Sequence, residues 1–237
     1  MVAASLAYVT VMPGRSHRGP LPPLSDEGRA LAQRLRRHVA ELAKAERNTD
    51  LETAARYIES ELSSFTSQEF ESGGRTVRNI ETGSGPIVVG AHCDSVPGSP
   101  GADDNASAVA VLIELARMSL PVRFVAFANE EMPYSFTPEM GSWQCANRAR
   151  QRDEGVCAMI SLEMLGYYRD QPGSQRYPWP LSLLYPHRAD FIAFVADIGA
   201  RTLVRRAIGS FRKNSQFPSQ GVAAPAFVPG ITRSDHW

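Results

Sequence analysis

A small set of imidazole and carboxylate side chains in this sequence can be brought together by an ordinary α/β chain: His92 and Asp94, the pair Asp103 and Asp104, the pair Glu130 and Glu131, then Glu163 and His236. Imidazole and carboxylate are metal donors, so the set raises the question of a metal site. His92 and Asp94 close the apolar run Ile87-Val88-Val89-Gly90-Ala91. Two residues apart on an extended chain, they leave the same face, where Asp94 can accept a hydrogen bond from the imidazole and orient its other nitrogen. Alone, a His-x-Asp pair reads as a satisfied loop histidine. Asp103 and Asp104 stand at the head of a helical run, where one of them reads equally as an N-cap; beside His92, one becomes a good ligand. Glu130 and Glu131 are adjacent and point in different directions. One can bind metal while the other serves as general base, the division a zinc hydrolase needs, although by themselves they also read as two solvated acids. Glu163 interrupts the apolar run Ile160 to Leu165 and, if buried, requires a cation or base nearby. His236, within Ser234-Asp235-His236-Trp237, offers a second imidazole, though an isolated terminal His more often lies on the surface.

Three of these positions, His92 with Asp94, Glu130 with Glu131, and Glu163, fall at the ends of apolar runs. Loops at the carboxyl ends of strands in an open α/β sheet converge on ligands. Ile87 to Ala91 reads as a central strand buried on both faces, Ala106 to Met118 as a helix and Val122 to Ala128 as a second strand, which together make a βαβ unit. Runs at Val156 to Leu165 and Leu181 to Leu184 extend the sheet. Upstream, Ser25 precedes an amphipathic helix with Leu31, Leu35, Val39 and Leu42 on one face, ending in the polar stretch Glu46 to Asn48. Thr49 or Asp50 caps a second helix with Leu51, Ala54, Ala55, Ile58 and Leu62 inward. Gln68 to Glu71 and Thr76 to Ile80 flank Gly73-Gly74 as a hairpin. Helices are expected at Gln144 to Arg152 and Phe191 to Val204.

The 237 residues, 43% of them apolar, suit one globular α/β domain. Lys plus Arg equals Asp plus Glu at 25 each, which leaves no electrostatic footprint for nucleic acid. The basic cluster Arg34-Leu35-Arg36-Arg37 reads as a solvated helix face. Cys93, Cys145 and Cys157 lack CxxC spacing; Cys145 with Cys157 as a disulfide and all three as free thiols both stay open. The first twelve residues are apolar, without a basic leader and too short to span a bilayer. Residues 1–24 are expected to form an N-terminal extension, either a remnant signal or anchor, placing the protein outside the cytoplasm or at a membrane, or a loosely docked arm of a cytoplasmic chain. Residues 25–237 then form the folded domain.

In order and spacing, His92-Cys93-Asp94, Gly101 to Ser107, Ala128 to Glu131, the Glu163 strand and Ser234-Asp235-His236 resemble the co-catalytic two-zinc exopeptidases that include bacterial leucyl aminopeptidases and glutamate carboxypeptidase. The resemblance covers roughly residues 30 to 237. It implies a three-layer αβα sandwich with a mixed, mostly parallel sheet, and two Zn2+ ions bridged by Asp104. His92 looks like a ligand of one ion and His236 of the other, with Glu131 and Glu163 supplying one carboxylate to each. Many relatives carry Asp where this chain has Glu163. Glu130 looks like the general base, and Asp94 supports His92. The implied reaction is hydrolysis of the N-terminal peptide bond of a peptide substrate by a metal-bridging water. Two other readings remain: a glutaminyl cyclase-like enzyme with a single zinc, and a non-catalytic domain of this fold. Relatives continue past the Ser-Asp-His motif with a strand and a helix, so the chain is expected to lack both.

Overall fold

In a computed structural model, which describes residues 2–48 and 50–236, the stretch around Gly73 and Gly74 folds as the expected hairpin. Strands β1 (Thr66–Ser72) and β2 (Arg75–Gly83) pair antiparallel, and both turn glycines have positive φ. The βαβ expectation also holds. Strand β3 (Ile87–His92) lies parallel to β4 (Arg123–Phe127), with His92 opposite Phe127. Strand β5 (Ala158–Ser161) pairs in parallel along the other edge of β3, giving the order β1-β2-β4-β3-β5. The sheet is mixed and mostly parallel, as expected, with β2 alone running against the other four strands. Its β1-β2 and β2-β4 pairings are antiparallel, because the short hairpin turn reverses β1 against β2 and β2 then docks antiparallel against β4.

The alternation along β4 builds two packed faces. Phe124 and Ala126 join Ile80, Ala91 and the buried sides of α2 (Asp26–Leu42), α3 (Leu51–Glu61) and α4 (Ala108–Ala116). Val125 and Phe127 face the other way, with Val88 and with Cys145 of α5 (Gly141–Gln151). The result is helix, sheet, helix. Each fully buried aliphatic such as Ile58 or Ile113 contributes about 1.5–3 kcal/mol relative to exposure. Ser25 caps α2 by accepting from the Gly28 amide at 3.1 Å, and Asp50 caps α3 through Thr53; Thr49 lies outside the described residues. The apolar stripe of α2 is only half engaged, for Leu31 is exposed while Leu42 is buried. The basic cluster is exposed, as expected of a solvated helix face, with Arg34 pairing with Glu114 and Arg37 with Glu61.

The chain divides into two compact units. One, Ser25–Gly166 with Ser234–Trp237, holds everything above. The other joins Met1–Leu24 to Tyr167–Arg233. In it, β6 (Ile192–Asp197) and β7 (Ser219–Ala224) form a parallel pair connected by α6 (Arg201–Asn214). The helix expected from Phe191 to Val204 is therefore strand first and helix second. Ile192 to Val195 alternates in burial as a strand does, and Asp197 then accepts from the Ala200 amide at 2.7 Å, which starts the turn into α6. Leu181 to Leu184 does not extend the sheet. It forms a 3-10 turn, Leu181–Leu183, among Pro178, Pro180 and Pro186, which lack the amide donors a ladder needs. Helix α1 (Val2–Thr10) leads into a docked segment. Arg201 stacks over the Tyr8 ring at 4.0 Å, Arg212 donates to the carbonyl oxygen of Pro13 at 3.0 Å, and the Ser219 amide donates to Ser16 Oγ at 2.9 Å. No described helix is long and apolar enough to cross a membrane. All three cysteines are free thiols.

Candidate metal centre

The strand ends deliver the expected residues to one place. His92, at the last position of β3, is 1% exposed. Its Nδ1 lies 3.2 Å from Asp94 Oδ1, as the two-residue spacing predicted. Its Nε2 points at two more carboxylates, Asp104 Oδ1 at 3.1 Å and Glu163 Oε1 at 3.3 Å. Donor atoms of His92, Asp104 and Glu131 all fall within 4.8 Å of one another.

Each carboxylate is held from behind. Neither Asp103 nor Asp104 caps the helix through its side chain; the backbone from Ala102 to Ser107 makes a wide turn, with Asp104 and Asn105 outside helical geometry. That departure turns Asp104 toward His92, while Asp103 accepts the amide of Gly166 at 3.1 Å. Asn105 is fully buried and clamps both sides of Glu163, donating to the Leu162 carbonyl (2.9 Å) and accepting from the Met164 amide (3.1 Å). Glu163 itself is 29% exposed, so the buried acid expected from its apolar run is a half-open one. Ser234 donates to its Oε2 at 2.8 Å. After β4, the amides of Glu130 and Glu131 donate to the two oxygens of Asp94 at 3.1 and 2.9 Å. Asp94 thus sets one imidazole and two glutamates at once.

Of the expected residues, His236 is the one outside this convergence. It is half-buried, and no cluster of donor atoms among the described residues includes it. Its neighbour Asp235 reads in the sequence only as the middle of the Ser-Asp-His motif, without a role of its own. It is 4% exposed, with Ser142 as its side-chain neighbour.

Burial and mutual repulsion govern the charges. Burial pushes Glu130 up to about 8 and Glu131 up to about 7, reinforced by Asp235 and Asp94 at the first and by Asp104 at the second. Burial also raises Asp235 to about 7. Burial disfavours charge on His92, but its bonds to Asp104, Asp94 and Glu163 prevail and raise it well above an ordinary imidazole. Pairing with His92 holds Asp104 low. Imidazole and carboxylate donors that converge within 4.8 Å of one another, among acids crowded together by burial, fit a cation such as zinc.

These shifts set a pH trend for protein stripped of metal by a chelator. Between about pH 8 and 5 the folded chain binds protons at Glu130, Glu131 and Asp235 that the unfolded chain, with carboxyls at 4.5 and 3.8, does not. Stability should therefore rise as pH falls through that window; Asp104, held low, acts only below it. Melting temperatures in chelator across the range check this, and a flat or inverted trend refutes it.

The sequence pattern of peptidase family M28 matches residues 75–213. The chain belongs to peptidase family M28. The matched span holds His92, Asp94, Asp104, Glu130, Glu131 and Glu163 and stops short of His236. Among similar proteins, the uncharacterized protein YfbL of Escherichia coli K12 is 42% identical over 191 residues, which are 72% of this chain and 58% of that protein. Two solved structures share the fold. The LapA aminopeptidase of Legionella pneumophila superposes with a TM-score of 0.63 at 17% identity, over 92% of this chain and 62% of that one. A glutaminyl cyclase from an Acidobacteriales bacterium reaches 0.50, also at 17% identity, over 88% and 83%. The M28 chain described here thus spans about 58% of YfbL and 62% of LapA.

Proposed function

We propose that this chain is a zinc-dependent exopeptidase acting as an aminopeptidase on peptides. The observation that carries the reading is the convergence of His92, Asp104 and Glu131, with Glu163 also on His92 and Glu130 beside them. Membership of a peptidase family and a fold shared with an aminopeptidase support it. In this reading His92, Asp104, Glu131 and Glu163, together with His236, would hold two zinc ions.

When bound, the metal supplies Lewis-acid polarisation of the scissile carbonyl and makes a water acidic. The chain's own groups do the rest. Glu130 accepts a proton from the attacking water and returns it to the departing amine nitrogen, as the C–N bond breaks and a carboxylate product is left. Asp94 keeps Glu130 and His92 in register through the bonds already described.

Zinc per chain, measured by elemental analysis, with product release from amino-terminal and carboxy-terminal substrates and cyclisation of an N-terminal glutamine, tests the reading. Two zinc ions and release of N-terminal residues are expected. Carboxy-terminal release or cyclisation alone would replace the aminopeptidase assignment, and a chain that binds no zinc would remove the metal centre altogether.

A further inference from the structure

Arg47 lies in the polar stretch between α2 and α3, yet it is only 3% exposed. Its guanidinium spends its donors on main-chain carbonyls. Nε donates to Cys93 (2.8 Å), Nη1 to Leu42 (2.9 Å) and Pro100 (2.5 Å), and Nη2 to Gly101 (2.9 Å) and more distantly to Asp94 (3.4 Å). Its amide donates to Ser95 Oγ at 2.9 Å, and that hydroxyl donates to the Ser99 carbonyl at 2.9 Å. Next to it, Glu46 accepts the Gly98 amide at 2.8 Å.

All of Arg47's acceptors but Leu42 belong to a single loop, residues 93–101, which leaves β3 just after His92 and delivers the chain to Asp104. The loop is wrapped tightly round the cation. A Cβ on Gly101, where φ is +59°, would stand 2.8 Å from Arg47 Nη2 and 2.3 Å from the Asp104 carbonyl oxygen. A fork of five N–H donors can serve several carbonyls at once, whereas an ammonium has three donors at one point.

We propose that Arg47 is a positioning residue for the metal centre, fixing the distance between His92 at one end of this loop and Asp104 at the other. The inference rests on the zinc reading above. The guanidinium touches neither substrate nor metal; it acts through the loop backbone. Without it, the loop's two ends move independently, and closing them round an ion costs conformational entropy at the moment of binding.

The test compares zinc affinity, measured by chelator competition, with the melting temperature of the zinc-free chain for wild type, Arg47→Lys and Arg47→Ala. Groups that orient metal ligands typically change affinity by about 10–100-fold when lost. Arg47→Lys is expected to fold and to weaken zinc binding by about 10-fold, more than its zinc-free stability predicts. Arg47→Ala should lose more and recover affinity when millimolar guanidinium, far below denaturing levels, is added. Unchanged affinity in both variants overturns the proposal. So does a loss that merely follows the melting temperature and does not respond to guanidinium, for that is a structural role alone. A wild-type chain that binds no zinc defeats the metal reading itself, which is a separate result.

Discussion

Glu130→Gln should keep the fold and the zinc content of the wild-type chain while lowering kcat by roughly 10²–10⁴-fold, the contribution of a positioned general base. The substitution preserves shape. The backbone amide at position 130 still donates to Asp94, so Glu131 remains where β4 and Asp94 put it. What disappears is the one acid in the group that follows a strand end, is buried enough to be pushed up to about 8 and does not take part in the His92, Asp104 and Glu131 convergence. Zinc content and steady-state turnover, measured on one preparation, decide the matter. Turnover within a few-fold of wild type would transfer the base role elsewhere, and simultaneous loss of zinc would make Glu130 a ligand.

Asp94→Asn should do broader damage from a position that touches no substrate. Asp94 is 2% exposed, and its two oxygens accept from His92 Nδ1 and from the amides of Glu130 and Glu131. An amide keeps only one acceptor oxygen; its NH2 must then face a donor, leaving a buried N–H unmatched at about 1–3 kcal/mol. Zinc affinity is expected to fall by about 10–100-fold, as when a partner of a metal-binding histidine is lost. With the amides of Glu130 and Glu131 no longer fixed, kcat/KM should fall with it. Competition against a chelator, with melting curves taken in excess zinc, separates the two effects. Wild-type zinc affinity in Asp94→Asn would show that His92 is oriented by other groups.

How much of this was legible depended on whether the partners of a residue were near in sequence. The Ile87 to Ala91 run, the hairpin glycines and the βαβ order are local patterns of period and turn chemistry, and the structure follows them. His92 and Asp94 are two residues apart, so their pairing could be read directly. Arg47 could not be. All its acceptors but Leu42 are featureless carbonyls about 46 to 54 residues away, and nothing in Glu46 to Asn48 distinguishes a buried guanidinium from a solvated one. His38 is similar: it reads as one polar residue on an amphipathic helix, yet it is fully buried between Tyr57 and Glu114. Asn105 looked like part of a helix start, and its clamp on Leu162 and Met164 needed the fold to show it. Phe191 to Val204 misled for another reason. A short alternating strand followed at once by a helix mimics one long amphipathic element when Gly199 is the sole break.

The partnership between residues 8–16 and the region of α6 and β7 also says something about how the chain is made. The Tyr8 carbonyl waits for Arg201, 193 residues later, and Ser16 for Ser219, 203 residues later. At roughly 5–20 residues per second, translation leaves that early segment without its partners for about 10–40 s. The sheet carrying His92 and Glu130 has left the ribosome well before then. During synthesis, the five-stranded sheet can therefore form while the other half is still waiting for its last strand, and Ser234, which donates to Glu163, reaches the metal centre only after that.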